Sequence, residues 1–165
     1  MKIYLRLFFT FLLTGLLSSA LFSQEVSNSP FSVLKFGAVA DGTTDNTAAF
    51  QRAINTASAS GGMVWVPAGR YMIKGSLLLL GVSLKGENIA PRSWEPLNGT
   101  IIMATGGRDN EKAPALFEMR NSSSISGITV YYPEQSVDDI HAYPWTFHIG
   151  SNTHDSTVFD CTIEN

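Results

Sequence analysis

Cysteine occurs once, at Cys161, which excludes an internal disulfide scaffold and any zinc site built on several cysteines. Charged residues make up only 15% of the 165 residues, against roughly 25% in an average soluble domain, while hydrophobic residues reach 44%. That balance excludes a disordered chain, a coiled coil and a collagen-like fibre. Basic residues are in deficit, with 11 Lys and Arg against 14 Asp and Glu. Nucleic acids and anionic membranes call for a basic face, so neither is expected as a partner. Lys and Glu are sparse, whereas 14 glycines and many Ser, Thr and Asn favour β-structure rich in turns over helices.

A long hydrophobic run is also missing. The apolar stretch from Leu7 to Leu17 is broken by Thr10, Thr14 and Gly15, too short for a membrane span of about 20 residues. Lys2 and Arg6 precede it, and Ser18, Ser19 and Ala20 follow. Residues 1–23 therefore read as a secretory signal peptide, cut after Ala20 or Ser23. Its removal takes two bases and no acids, so the net charge moves from −3 to −5. The mature protein is expected outside the cytoplasm, secreted, periplasmic or on the cell surface, with no membrane attachment after cleavage.

Residues 24–62 read as a linker, a strand and a capping helix, and residues 63–165 as the first coils of a β-solenoid. Phe31 to Phe36 has strand character. Asp41-Gly42 signals a turn, and Thr44 or Asp45 suits a helix N-cap. Phe50, Ala53, Ile54 and Ala57 follow at i, i+3, i+4 and i+7, so residues 45–59 are predicted to be a helix with one apolar stripe. Gly61-Gly62 stops it. From Met63 on, short apolar bursts alternate with Gly, Asn, Ser and Pro, as in a sandwich, a barrel or a solenoid. Ser124–Val130 aligns with Thr157–Ile163 at an offset of 33, which fits one solenoid coil with an inserted loop.

The run from Phe36 to Ile54, with Gly37-Ala38-Val39-Ala40-Asp41-Gly42-Thr43-Thr44-Asp45-Asn46-Thr47 inside it, resembles the N-terminal signature of the pectate-lyase superfamily, in its rhamnogalacturonase/epimerase-like branch. Gly61-Gly62-Met63-Val64-Trp65-Val66-Pro67-Ala68-Gly69-Arg70-Tyr71 and Val82-Ser83-Leu84-Lys85-Gly86 resemble that branch's next two elements, so the resemblance covers residues 36–86. It implies an all-β fold, a single-stranded right-handed parallel β-helix with its N-terminal helix closing the first coil. It also implies a polysaccharide or oligosaccharide partner. The chain stops inside a coil, so an N-terminal fragment is expected, with catalytic carboxylates beyond Asn165. The expected function is part of an exported polysaccharide-degrading enzyme, a glycoside hydrolase or a lyase acting on pectin-like or other glycans. A non-catalytic carbohydrate-binding or adhesion module is the alternative. Calcium is implied only if the full-length protein is a lyase, and no metal or other cofactor is expected in this chain.

Two groups of residues could carry function. Asp41 and Asp45 are four apart, but the resemblance places them at the cap beside Phe50 and Ile54, as structural residues. Asp138, Asp139 and His141 lie in a loop flanked by Tyr131-Tyr132 and by Tyr143-Pro144-Trp145. Polygalacturonases carry an Asp-Asp pair, but their Asn-Thr-Asp, His-Gly and Arg-x-Lys elements have no match here. A solvated acidic loop and a substrate contact are both open readings, as are core packing and sugar stacking for the aromatics. On the functional reading, Asp138, Asp139, His141, Tyr143 and Trp145 line one edge of a lateral saccharide groove, because loops on a rigid scaffold are where binding residues gather.

Overall fold

The computed structural model describes residues 31–89, 96–150 and 154–164, within a compact unit that begins at Phe31. The signal-peptide reading of residues 1–23 lies outside the described residues. The order of elements is a 3-10 helix (Val33–Phe36), β1 (Asp41–Asp45), α1 (Thr47–Ser58), β2 (Met63–Val66), β3 (Gly69–Ile73), β4 (Leu77–Leu80), β5 (Ser83–Gly86), β6 (Asn88–Ile89), β7 (Asn98–Ala104), β8 (Phe117–Arg120), β9 (Ser124–Ser126), β10 (Thr129–Tyr131), β11 (Phe147–Ile149), β12 (Thr157–Phe159) and β13 (Thr162–Glu164).

These strands form three sheets. The first runs β1-β3-β7-β10-β13, the second β4-β8-β11 and the third β2-β5-β9-β12, and every neighbouring pair along these paths is parallel. The short β6 pairs antiparallel with β7. Successive strands in the chain visit the third, first and second sheets in turn. The chain is therefore a single-stranded parallel β-helix, each coil hydrogen-bonded to the next.

Stacking puts like residues above one another. Val64, Leu84, Ile125 and Val158 are in register, as are Tyr71, Ile102, Val130 and Ile163. Leu77, Phe117 and Phe147 make a third column, in which the two Phe rings stack at 5.4 Å. Most of these side chains are fully buried, each contributing about 1.5–3 kcal/mol of burial. The internal match at an offset of 33 is this stacking: Ser124 lies beside Thr157 and Thr129 beside Thr162. The apolar run from Ile125 to Val130 is two strands, however, split by a tight turn in which Gly127 takes φ 68°. Asp160 stands at the same place one coil later with φ 53°.

The first coil is closed by three separate devices. Helix α1 buries Ala49, Phe50, Ala53, Ile54 and Ala57, and Phe50 meets Tyr71 edge-to-face at 5.4 Å. Strand β1 covers the edge of β3, pairing Asp41 with Arg70 and Asp45 with Met72. This strand replaces the turn expected at Asp41-Gly42, and a register irregularity between its two pairs absorbs the bend at Gly42. Phe31 and Ser32 cover β2: the Trp65 N–H donates to the Phe31 carbonyl at 3.2 Å and Ser32 bridges Trp65. The strand expected over Phe31–Phe36 stops there, because Val33 turns into the core and the chain coils into the 3-10 helix, ended by Gly37 at φ 88°.

Among the described residues no strand lies beside the open edge of β4. The side-chain amide of Gln51 stands in for one, donating to the Leu78 carbonyl at 3.0 Å and accepting the Leu78 N–H at 2.9 Å. The Ser58 hydroxyl donates to the Leu80 carbonyl. Unpaired edges template aggregation, so these helix side chains have a protective role that the apolar pattern does not reveal.

Candidate functional site

Asp41 and Asp45 lie at the closed end. The Asp41 carboxylate accepts the Thr43 and Thr44 N–H groups, both at 2.8 Å, and the Thr44 hydroxyl at 2.6 Å. The Thr44 hydroxyl above all, then these amides, hold its pKa well below the usual carboxylate range. Burial pushes Asp45 up, but the Thr47 hydroxyl and N–H more than offset it, so its pKa is lowered. Asp45 thereby satisfies the first amide of α1. The residue at the N-cap position is Asn46, whose side chain instead bonds Val39 and the Thr44 carbonyl.

Chemistry gathers on another flank, around the second sheet. Alternation along β8 and β11 turns Phe117, Met119 and Phe147 inward and Glu118, Arg120 and His148 outward. Parallel register sets His148 beside Glu118. The Glu118 carboxylate accepts His148 Nδ1–H at 2.7 Å and the Ala115 N–H at 3.1 Å. Because a carboxylate only accepts, Nδ1 carries the proton and Nε2 is left for a ligand. Glu118 is 19% exposed and His148 49%. Neither Glu118 nor His148 stands in a motif of the sequence. The signal was the in-register alternation of Phe-Glu-Met-Arg and Phe-His-Ile, visible only once strand pairing is known.

Two long connections from the first sheet to the second flank this face, residues 105–116 and 132–146. They dock on each other: the Asp109 N–H donates to the Ala142 carbonyl at 2.7 Å. His141 is the hub. Its Nδ1–H donates to Asp109 at 2.8 Å, its Nε2 lies 3.1 Å from Asp139, and Arg108 Nη2 also faces Nε2. Arg108 further reaches Glu134 at 3.4 Å. Gln135 brackets the His141 backbone, accepting its N–H at 2.7 Å and donating to its carbonyl at 3.0 Å. The bond to Asp109 raises the His141 pKa, desolvation opposes it, Asp139 adds to the rise and the Arg108 charge subtracts. Neutral His141 accepts from Arg108 at Nε2; protonated, it donates there to Asp139.

Beside this hub is a cleft of about 240 Å³ walled by Tyr132, His141, Tyr143, Pro144 and Thr146. Tyr132 and Tyr143 meet edge-to-face at 4.8 Å, and the Tyr132 hydroxyl bonds Thr146 at 2.7 Å. Burial raises both phenol pKa values, and the Glu134 charge adds to that of Tyr143. Of the five loop residues singled out from sequence, the structure brings Asp139, His141 and Tyr143 together. Asp138 is exposed outside this network, and the Trp145 ring is 73% exposed while its carbonyl accepts the Leu116 N–H at 2.9 Å. Glu134 of the same loop completes the cluster together with Arg108 and Asp109 of the other, and these last two carried no motif. Cys161 is half-buried against the core, and burial raises its thiol pKa. Among the described residues no group of three or more His, Cys, Asp and Glu is placed to hold a metal ion.

Residues 30–99 match the family described as rhamnogalacturonase A/epimerase, pectate lyase-like. A 46-residue segment is 52% identical to mannuronan C5-epimerase AlgE3 of Azotobacter vinelandii, covering 27% of this chain and 2% of that protein. Mannuronan C5-epimerase AlgE5 of the same organism is 50% identical over 46 residues, covering 27% and 5%. The structure overlays on the A-module of A. vinelandii mannuronan C-5 epimerase AlgE4 with a TM-score of 0.58 and 23% identity, over 80% of this chain and 37% of that one. The chain thus spans a minor part of each relative, and the overlay is a likeness of fold. Residues 30–99 are thus similar to the pectate-lyase-like rhamnogalacturonase A/epimerase family, in a chain built as a parallel β-helix.

Proposed function

We propose that this chain supplies coils of an exported polysaccharide-modifying enzyme, and that its glycan lies across the outer face of the second sheet, beside the two docked loops. The observation that carries this is the His148–Glu118 pair on neighbouring coils, with Arg120 on the same face. A lyase or an epimerase acting on a uronate begins by removing the proton α to the carboxylate. Such a step needs a cation on the carboxylate and a base beside the carbon. Arg120 supplies the first and His148 Nε2 the second, with Glu118 stabilising the imidazolium that forms. The mannuronan epimerases among the relatives make an acidic glycan the favoured substrate class. A hydrolase needs two free carboxylates across the scissile bond. Glu118 is the one carboxylate of β8 and β11, and His148 engages it.

The test uses the full-length protein with polymannuronate, polygalacturonate and a neutral β-glucan. A new absorbing double bond marks lysis, altered C5 configuration without cleavage marks epimerisation, and new reducing ends alone mark hydrolysis. His148→Ala is expected to lower turnover by about 10²-fold or more with folding intact. Trp145→Ala and Asp139→Ala, both at exposed side chains, are expected to weaken oligosaccharide affinity without unfolding. Full activity in His148→Ala and Arg120→Ala would overturn the assignment of this face. Saccharide binding without turnover on any polymer would leave a non-catalytic binding module.

A further inference from the structure

The third sheet carries a separate groove of about 410 Å³ on its outer surface, within the size range of small-molecule sites. Its floor is kept low by small residues. Ser83 and Ser124 are in register on β5 and β9, with their hydroxyls bonded at 2.7 Å. Gly86 follows Lys85, and a Cβ there would sit 2.4 Å from the Gly127 carbonyl oxygen. Close approach of two coils accounts for that glycine.

Ser126 also lines the groove: the residue as a whole is only 8% exposed, and it faces the opening between the coils. Its two in-register neighbours are Lys85 on β5 and Phe159 on β12. Lys85 is exposed and makes no ion pair among the described residues, and Phe159 is 56% exposed. Two strand spacings, about 10 Å, separate them. Hence a single sugar ring seated over Ser126 reaches an aromatic side chain on one side and an ammonium on the other.

We infer that this groove is a second saccharide site, taking a pyranose whose apolar face rests on Phe159, with one hydroxyl on Ser126 and a hydroxyl or carboxylate on Lys85. The inference rests on the polysaccharide reading above and adds a holding site on a different flank of the β-helix. The chemistry fits in each part. Aromatic faces pack on the C–H face of sugar rings, the Ser126 hydroxyl can donate to or accept from a sugar hydroxyl, and the ammonium donates to any sugar oxygen. Glu87 and Asp160 stand at the rim, so the groove is not a general anion trap.

The experiment is a backbone-amide NMR titration of the full chain with cellohexaose, oligogalacturonate and oligomannuronate. Saturable shifts are expected at Lys85, Ser126 and Phe159. Phe159→Ala, Lys85→Ala and Ser126→Ala should each weaken binding by about fivefold or more, with the thermal midpoint of the two exposed-residue variants unchanged. A larger loss in Lys85→Ala for the two uronates than for cellohexaose assigns a carboxylate to Lys85; equal losses assign a hydroxyl. Shifts confined to Glu118, Arg120 and His148 would overturn the second site and leave the polysaccharide reading standing. Binding of none of the three sugars would overturn both, and affinity unchanged in Phe159→Ala and Lys85→Ala would overturn the site alone.

Discussion

Phe50 and His141 each organise a region of this molecule, but by different physics. Phe50 is fully buried beneath the first coil, in an apolar stripe on α1 whose neighbours Ala53, Ile54 and Ala57 are buried as well. His141 holds two loops together through polar contacts whose other members stand in water: Asp109 is 66% exposed, Asp139 72% and Glu134 41%. Burial of a large ring is strong and insensitive to solution conditions. Exposed ion pairs contribute about 0–1 kcal/mol each and weaken with salt. The closed end therefore secures the scaffold, whereas the loop side is held by contacts that weaken with salt and respond to pH.

The contrast breaks most visibly at Phe50. Phe50→Ala is expected to cost about 3–5 kcal/mol in denaturant unfolding, because it removes the ring that fills the space over Tyr71. A loss under about 1 kcal/mol would mean that α1 is not the seal of the first coil. Gln51 comes next. Gln51→Leu keeps helix propensity and size but deletes both bonds to Leu78, so it should cost about 1 kcal/mol per bond and raise aggregation through the bared edge of β4. Unchanged solubility and stability would show that water satisfies that edge as well as the amide does.

The same contrast governs what could be read from sequence. The apolar stripe from Phe50 to Ala57 and the short bursts from Met63 onward are periodic, and periodicity follows directly from burial. The offset between Ser124–Val130 and Thr157–Ile163 reflected true stacking, since neighbouring coils present like residues to one core. Phe31–Phe36 misled because its apolar residues suit a strand, while only Phe31 and Ser32 have an edge to pair with. The loop side was half legible. Tyr143 and His141 stood out as residue types, but their partners Arg108 and Asp109 lie more than 30 positions away and follow no period. Glu118 and His148 become neighbours only through strand register, which residue pattern alone does not fix.

The smallest expected effect is also the most specific to the loops. His141 has a pKa above its ordinary value of 6.5 when the loops are docked. The docked state thus binds the proton more tightly than the undocked one. Its contribution is fully present below about pH 6.5 and is lost as pH rises through the raised value. The groups facing His141 are Asp109 and Asp139, which favour the charged ring, and Arg108, which opposes it; Glu134 and Tyr143 act through Arg108 and the cleft wall. The amide of Asp109, bonded to the Ala142 carbonyl across the two loops, reports docking directly. After correction for intrinsic exchange, its hydrogen exchange should be slower at about pH 5.5 than at about pH 8. His141→Gln should remove that difference while leaving the amides of α1, on the closed end, as protected as before. Equal protection of Asp109 at both pH values in the unaltered chain would show that the loops are held by Gln135 and the backbone alone, and that the imidazole is a passenger between two carboxylates.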